Sequence, residues 1–272
     1  MNTSKRVRAL VESAMMVSLA TVLSIIKIIE MPYGGSVTIA SMLPMIILAY
    51  RHGTAWGIGS GLVYAAMQQL LGLNNLSYAY SSGWKAVVAV MMLDYILAFT
   101  LVGIGGIFKR ATKKQSRALV LGSLLISLLR YACHVISGAT VWVGLSIPDS
   151  AALIYSIGYN ATYMLPETII LVAVSYYLGS AIDFSKPNPT RFATRENGEE
   201  NQSLGLLAGL IGLLGIIVDV YLIAPCMQNE ESGEFYFGGI KNVEWLAVSI
   251  VTALAALAVT ALLLLKKHQK NN

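Results

Sequence analysis

Five ionisable side chains fall inside stretches that are otherwise apolar: Asp94, Arg130, His134, Glu167 and Asp219. A charge at membrane depth costs a few kcal/mol or more, so each is read first as a functional group with a partner. Glu12 and Lys27 stand near the ends of their stretches, can snorkel to water and are set aside. Asp94 sits in MMLDYILAF with Tyr95 beside it, an anion and a phenol together. Arg130, His134, Gly138 and Trp142 recur every four residues. Each such step turns a helix by about 40°, so a cation, an imidazole, a gap and an indole form one stripe. That stripe makes a wall for a flat, polar ring. Tyr155, Tyr159 and Tyr163 share a second face, and Asn160, Tyr163 and Glu167 an overlapping one. An acid among aromatics suits a flat organic cation. The bland alternatives are an Asp94–Arg130 ion pair, since buried charges pair, a satisfied core histidine, and an interfacial aromatic belt for Trp142 and Tyr155. A belt does not account for Asn160, which should avoid lipid. No relay of carboxylates is visible, because Asp94 and Glu167 stand alone on separate helices.

Such side chains need membrane-crossing elements to hold them. The 272 residues are 56% hydrophobic and only 12% charged, with a mean hydropathy of +0.66. Soluble domains carry about 25% charged residues. That deficit, gathered in long apolar runs, excludes a soluble globular protein, a disordered chain and a coiled coil. Two lone cysteines, Cys133 and Cys226, predict no disulfide framework. A span needs about 20 mostly apolar residues. Eight segments qualify: 9–29, 36–50, 54–72, 86–108, 118–145, 151–179, 204–224 and 244–265, the second of them short. Lipid leaves the backbone no outside partner, so these are helices and the fold class is all-α, polytopic. Fifteen of the 19 basic residues then fall on one side, which places both termini in the cytoplasm of a multi-pass cell-membrane protein. The net charge of +5 is thus a topology signal rather than a sign of nucleic-acid binding. The basic head and apolar stretch at the start resemble a signal peptide. The length of that stretch and the want of a small-residue cleavage site predict a retained anchor. Residues 183–203 are polar and read as a cytoplasmic linker, dividing a six-helix unit (1–182) from a two-helix transmembrane extension (204–272). No internal repeat supports an inverted-repeat transporter.

Much chemistry is missing from the chain. No GxxxxGK[ST] motif is present, and three histidines without HExxH or a paired cysteine set predict no metal site. Ser60 and His134 raise an intramembrane hydrolase, but Ile58 stands where its G-x-S-G context needs glycine. The expectation is a protein that is no enzyme and carries no cofactor. Gly53, Gly57 and Gly61 line one helix face and read as a packing surface.

The stretches VESAMMVSLATVLS, MPYGGSVTIASMLPMIILAYRHG, MLDYILAF, RYACHVISGATVWVG and IYSIGYNATYMLPE resemble, in order over roughly residues 5–182, the thiamine-specific S component (ThiT type) of energy-coupling factor transporters. The resemblance implies a six-helix bundle that binds thiamine from outside. It also implies three partners, a transmembrane coupling subunit and two cytoplasmic ATPases. The family's pocket acid, usually glutamate, falls on Asp94 with Tyr95 following. Its histidine, glycine and tryptophan fall on His134, Gly138 and Trp142, its tyrosine and asparagine on Tyr155 and Asn160, and its basic residue on Arg130. Tyr33 stands for its loop aromatic, and Ala14 and Ser18 for its contact with the coupling subunit. Two departures stand out: Asp94 is one methylene shorter than glutamate, and the last two spans are additional. Gly205 and Gly209 suggest that the first of these packs on a partner helix, and Asp219 would reach water from near its outer end. A self-sufficient secondary transporter of a small organic cation is the alternative.

Overall fold

A computed structural model describes residues 3–31, 34–144, 149–192, 199–223, 225–227 and 237–271. The chain divides into two compact units, Met1–Thr190 and Arg191–Asn272. Among the described residues six helices are long and apolar enough to cross a membrane: Thr3–Ile25, Trp84–Lys109, Gln115–Val141, Ala151–Ala181, Leu207–Met227 and Trp245–Lys266. The protein is all-α and polytopic, with only four short strands among those residues.

The first unit opens with α1 (Thr3–Ile25), whose inner face is Ala9, Ser13, Val17 and Ala20. The first expected span runs past this helix. Residues Lys27–Glu30 form strand β1, antiparallel to β2 (Ser36–Thr38), so a hairpin replaces the end of span one and the start of span two. The second expected span contracts to α2 (Leu43–His52), ten residues or about 15 Å, half a bilayer. Eight of its ten residues are buried, which is why an apolar run of this length satisfies a core and needs no lipid. Gly53, with φ of +94°, turns the chain into α3 (Thr54–Leu71). Gly53 is thus a turn, while Gly57 and Gly61 do pack. A Cβ on Gly57 would lie 2.1 Å from the Gly103 carbonyl oxygen, and one on Gly61 2.8 Å from that of Thr100. Glycine on both sides at Gly57 and Gly103, and on one side at Gly61, lets these segments touch.

After α4 (Leu76–Ser81) comes a long composite span. It begins as α5 (Trp84–Ala89), widens to a π-helix over Val90–Leu97, returns as α6 (Ala98–Thr100) and tightens to 3-10 turns. The unit closes with α7 (Gln115–Gly144) and α8 (Asp149–Ala181), which pack along their lengths. Strands β3 (Ile182–Asp183) and β4 (Thr190–Arg191) then pair. At this end Arg51 joins three parts of the chain. Its Nε and Nη2 donate to the two Glu12 oxygens at 2.7 and 2.8 Å. Its Nη1 donates to the carbonyls of Phe184 and Lys186, and Nη2 also to that of Pro187. His52 Nε2 lies 2.6 Å from the same carboxylate.

In the second unit α9 (Glu199–Ile223) packs on α10 (Trp245–Asn271). Gly215 faces Ala255 and Gly212 faces Val259, whereas Gly209 has nothing within 4 Å. Of the two glycines expected to pack, Gly205 does, with a Cβ there falling 2.4 Å from Lys266 Nζ of α10, and Gly209 does not. Asp219 Oδ2 accepts from Thr252 Oγ1 at 2.7 Å, a partner inside the hairpin.

Candidate functional site

A cavity of about 600 Å³ opens within the first unit. The β1–β2 hairpin, the π-helical segment, α7 and α8 wall it, and α1, α3, α4 and α6 add Ser24, Gln68, Ala79 and Phe99 among others. The π geometry matters here. Its i→i+5 ladder is one residue wider per turn than an α-helix, a feature that recurs at functional sites. In this segment Val90, Asp94 and Tyr95 all line the cavity. Tyr95 is seated by Gly72: its hydroxyl donates to the Gly72 carbonyl at 3.2 Å, and a Cβ on Gly72 would meet that oxygen at 2.1 Å.

On α7, Arg130, His134 and Gly138 line the cavity in one row, with Val141 continuing it. The eleven residue steps from Arg130 to Val141 make that wall about 16 Å long. The Asp94 carboxylate bridges to the row, with Oδ1 2.8 Å from His134 Nδ1 and Oδ2 accepting from Ser137 Oγ at 2.9 Å. Gly138 admits α8 closely, since a Cβ there would stand 2.4 Å from Ser156 Oγ and 3.3 Å from Asn160 Nδ2. Asn160 Nδ2 donates to the carbonyl of His134 at 3.2 Å and to that of Ser156 at 2.8 Å, while its Oδ1 accepts from Tyr163. The amide therefore ties the two long helices together at the cavity wall.

Deeper in, Arg130 Nη1 donates to Glu167 Oε2 at 3.3 Å, and its guanidinium stands 4.6 Å from the Phe99 ring centroid. Glu167 Oε1 accepts from Thr38 Oγ1 at 2.8 Å, so α8 holds the inner strand of the hairpin. The expected alternative, an Asp94–Arg130 pair, is corrected: each has a different partner. Asp94 keeps 25% of its side chain exposed against 4% for Glu167, so of the two inner carboxylates Asp94 is the more accessible. At the rim Lys27 bonds to Glu30.

Six of the nine expected pocket residues thus line one cavity: Asp94, Tyr95, Arg130, His134, Gly138 and Asn160. Tyr155 is half-buried one turn before Tyr159 on α8 and is not among the described lining residues. Trp142 belongs to α7, but its side chain lies outside the described residues, as does the whole of Tyr33. The reading from residue types passed over Ser137, Thr38 and the hairpin itself. Their signal was slight, since a serine or threonine in an apolar run more often bonds its own helix. Ala14 and Ser18 are exposed on the face of α1 opposite its buried stripe, and the Ser18 hydroxyl donates to the Ala14 carbonyl at 2.9 Å.

Residues 10–184 match the model of the thiamine transporter protein family (Thia_YuaJ). The chain belongs to this family. Among curated proteins it is similar to the thiamine transporter ThiT of Bacillus subtilis, 36% identical over 185 residues that make up 64% of this chain and 91% of that protein. It is also similar to the thiamine transporter ThiT of Lacticaseibacillus paracasei, 24% identical over 191 residues, 64% of this chain and 88% of that one. A third likeness, to the uncharacterized protein YybS of Bacillus subtilis, is 29% over 152 residues, 56% of this chain and 43% of that protein. The thiamine transporter match coincides with the unit that holds the cavity, and with the apolar helices it makes this a multi-pass membrane protein.

Proposed function

We propose that the chain is the membrane-embedded substrate-binding subunit of an energy-coupling-factor importer. It binds thiamine from the outside and delivers it with a transmembrane coupling subunit and two cytoplasmic ATPases. The observation that carries this reading is the cavity in which Asp94, His134 and Asn160 converge, in a chain of the thiamine transporter family. Its volume falls in the range of small-ligand sites, about 300–1,000 Å³. Asp94 offers a carboxylate to the cationic thiazolium, and the row on α7 offers a flat wall and hydrogen-bonding groups to the pyrimidine. The basic residues of the loops support both termini in the cytoplasm, which opens the cavity outward.

Uptake into liposomes tests the reading. Thiamine should accumulate only when the coupling subunit, both ATPases and ATP accompany the chain. Accumulation by the chain alone on an ion gradient would make it a self-sufficient transporter. The exposed Ala14–Ser18 face of α1 is the proposed contact with the coupling subunit. Tryptophan at either position should abolish ATP-driven uptake and leave the thiamine Kd within about threefold of the unmodified chain, well under 1.4 kcal/mol. Loss of binding in those variants would point to misfolding of α1 instead.

The binding function is assigned to residues 1–182, with 183–203 as linker and 204–272 as an accessory extension. Because Arg51 takes the carbonyls of Phe184, Lys186 and Pro187, a shortened chain should keep these residues. A chain ending at Thr190 should bind thiamine within about tenfold, or 1.4 kcal/mol, of full length by calorimetry. A monodisperse shortened chain that binds more weakly than that would place part of the site in the extension.

A further inference from the structure

The charged groups of the cavity come in pairs with one carboxylate left over. Lys27 is bonded to Glu30 at the rim, and Arg130 to Glu167 inside. Asp94 is the third acid, and no third ammonium or guanidinium group is among the described lining residues. The inner pair differs from the rim pair in burial. Arg130 and Glu167 keep 6% and 4% of their side chains exposed, against 39% and 63% for Lys27 and Glu30. Both Glu167 oxygens are taken, one by Arg130 and one by Thr38, so the carboxylate is fixed in place. Arg130 is less fully used: its Nε is buried with no hydrogen-bond partner among the described residues. A guanidinium in the wall of a ligand-sized cavity is a receptor for a phosphate oxygen once its charge is no longer balanced by a carboxylate. Glu167 is the one carboxylate that balances its charge.

We propose that Glu167 is a specificity-determining residue: by neutralising Arg130 it keeps the cavity selective for a cation that bears no anionic group, and so disfavours phosphate esters of thiamine. This rests on the thiamine reading above. The argument has two parts that act in the same direction. Without Glu167, an uncompensated cation in a low-dielectric wall repels the thiazolium. The same cation attracts a phosphoryl group with charge-assisted hydrogen bonds. Removing Arg130 instead leaves Glu167 as an extra anion and reverses both effects.

The experiment measures Kd for thiamine and for thiamine monophosphate by calorimetry on the full chain in detergent. It compares the unmodified protein with Glu167→Gln, Arg130→Gln and the double variant. Glutamine at 167 keeps an oxygen for Thr38 while losing the charge. The ratio of ester Kd to thiamine Kd should fall by about tenfold or more in Glu167→Gln, rise in Arg130→Gln, and return near its original value in the double variant, a tenfold change being 1.4 kcal/mol. Mere damage to the site would weaken both ligands together and leave the ratio alone. An unmoved ratio in a monodisperse Glu167→Gln, or a shift of the same sign in both single variants, overturns the proposal. If Glu167→Gln does not fold, Arg130→Gln decides alone, and an unchanged or falling ratio overturns it. An unmodified chain that binds neither ligand would instead sink the thiamine reading itself.

Discussion

Asp94→Asn should weaken thiamine binding by one to two orders of magnitude. A hydrogen bond to a charged group is worth about 1.5–3 kcal/mol, and each 1.4 kcal/mol is tenfold. The geometry places the result toward the upper end, because the carboxylate has a second task. It meets His134 Nδ1 at 2.8 Å and Ser137 Oγ at 2.9 Å, one on each oxygen. Asparagine has a single acceptor oxygen, so its NH2 group must face either the serine hydroxyl or the ring nitrogen. The substitution therefore removes the charge and also loosens the imidazole. Calorimetry on the variant measures the loss. An unchanged Kd would leave Asp94 as a structural partner of His134 and would remove the carboxylate from the recognition of the cation. Asp94→Glu, longer by one methylene, should retain more affinity than asparagine, since charge survives even where position shifts.

The second large effect concerns stability rather than affinity. Arg51→Met should destabilise the first unit by about 2–4 kcal/mol, somewhat less than the cost of breaking a fully buried ion pair from one side, since Glu12 keeps part of its side chain in water. The Arg51 side chain is 5% exposed, and its donors reach two Glu12 oxygens and three backbone carbonyls. Five N–H groups is all that a guanidinium has, so none is spare. Methionine matches its length but leaves the buried Phe184 carbonyl without its donor, gives those of Lys186 and Pro187 back to water, and leaves Glu12 with only His52. Lysine would recover part of the charge but not the fork, and should stand between the two. For a unit of this size the midpoint of thermal unfolding in detergent should fall by roughly 10 °C. A midpoint unchanged in Arg51→Met would mean that water replaces the arginine at no cost, and that the joint adds nothing to stability.

The long helices were legible because each carries an apolar run that exceeds a bilayer. α7, α8, α9 and α10 follow the expected spans closely. The hairpin and α2 were hidden for a common reason. Residues 36–50 are apolar whether they face lipid or a protein core, and hydropathy cannot tell the two apart. Pro32, Gly34 and Gly35 between two short runs rich in β-branched residues were the available turn signal. In the cavity, the row from Arg130 to Gly138 was legible from spacing alone, because helical periodicity fixes which residues of one helix share a face. Which group pairs with which across helices is not periodic. Arg130 could as well have met Asp94 as Glu167, and only the packing of α8 on α7 decides it.

The widened turn at Val90–Leu97 has a consequence for any positional scan of that span. α5 before it and α6 after it each follow the ordinary 3.6-residue repeat. Between them the ladder takes up extra residues, and each extra residue advances an α-helix by about 100°. The two stretches are out of phase, as two combs are when one is slid by part of a tooth. Labelling or lipid-tolerance data from Trp84–Ala89 will not extrapolate to Ala98–Thr100 or to the 3-10 turn of Leu101–Ile104, and the span has to be fitted in separate stretches with an offset between them. Within the widened turn itself Asp94 and Tyr95, adjacent in sequence, both line the cavity.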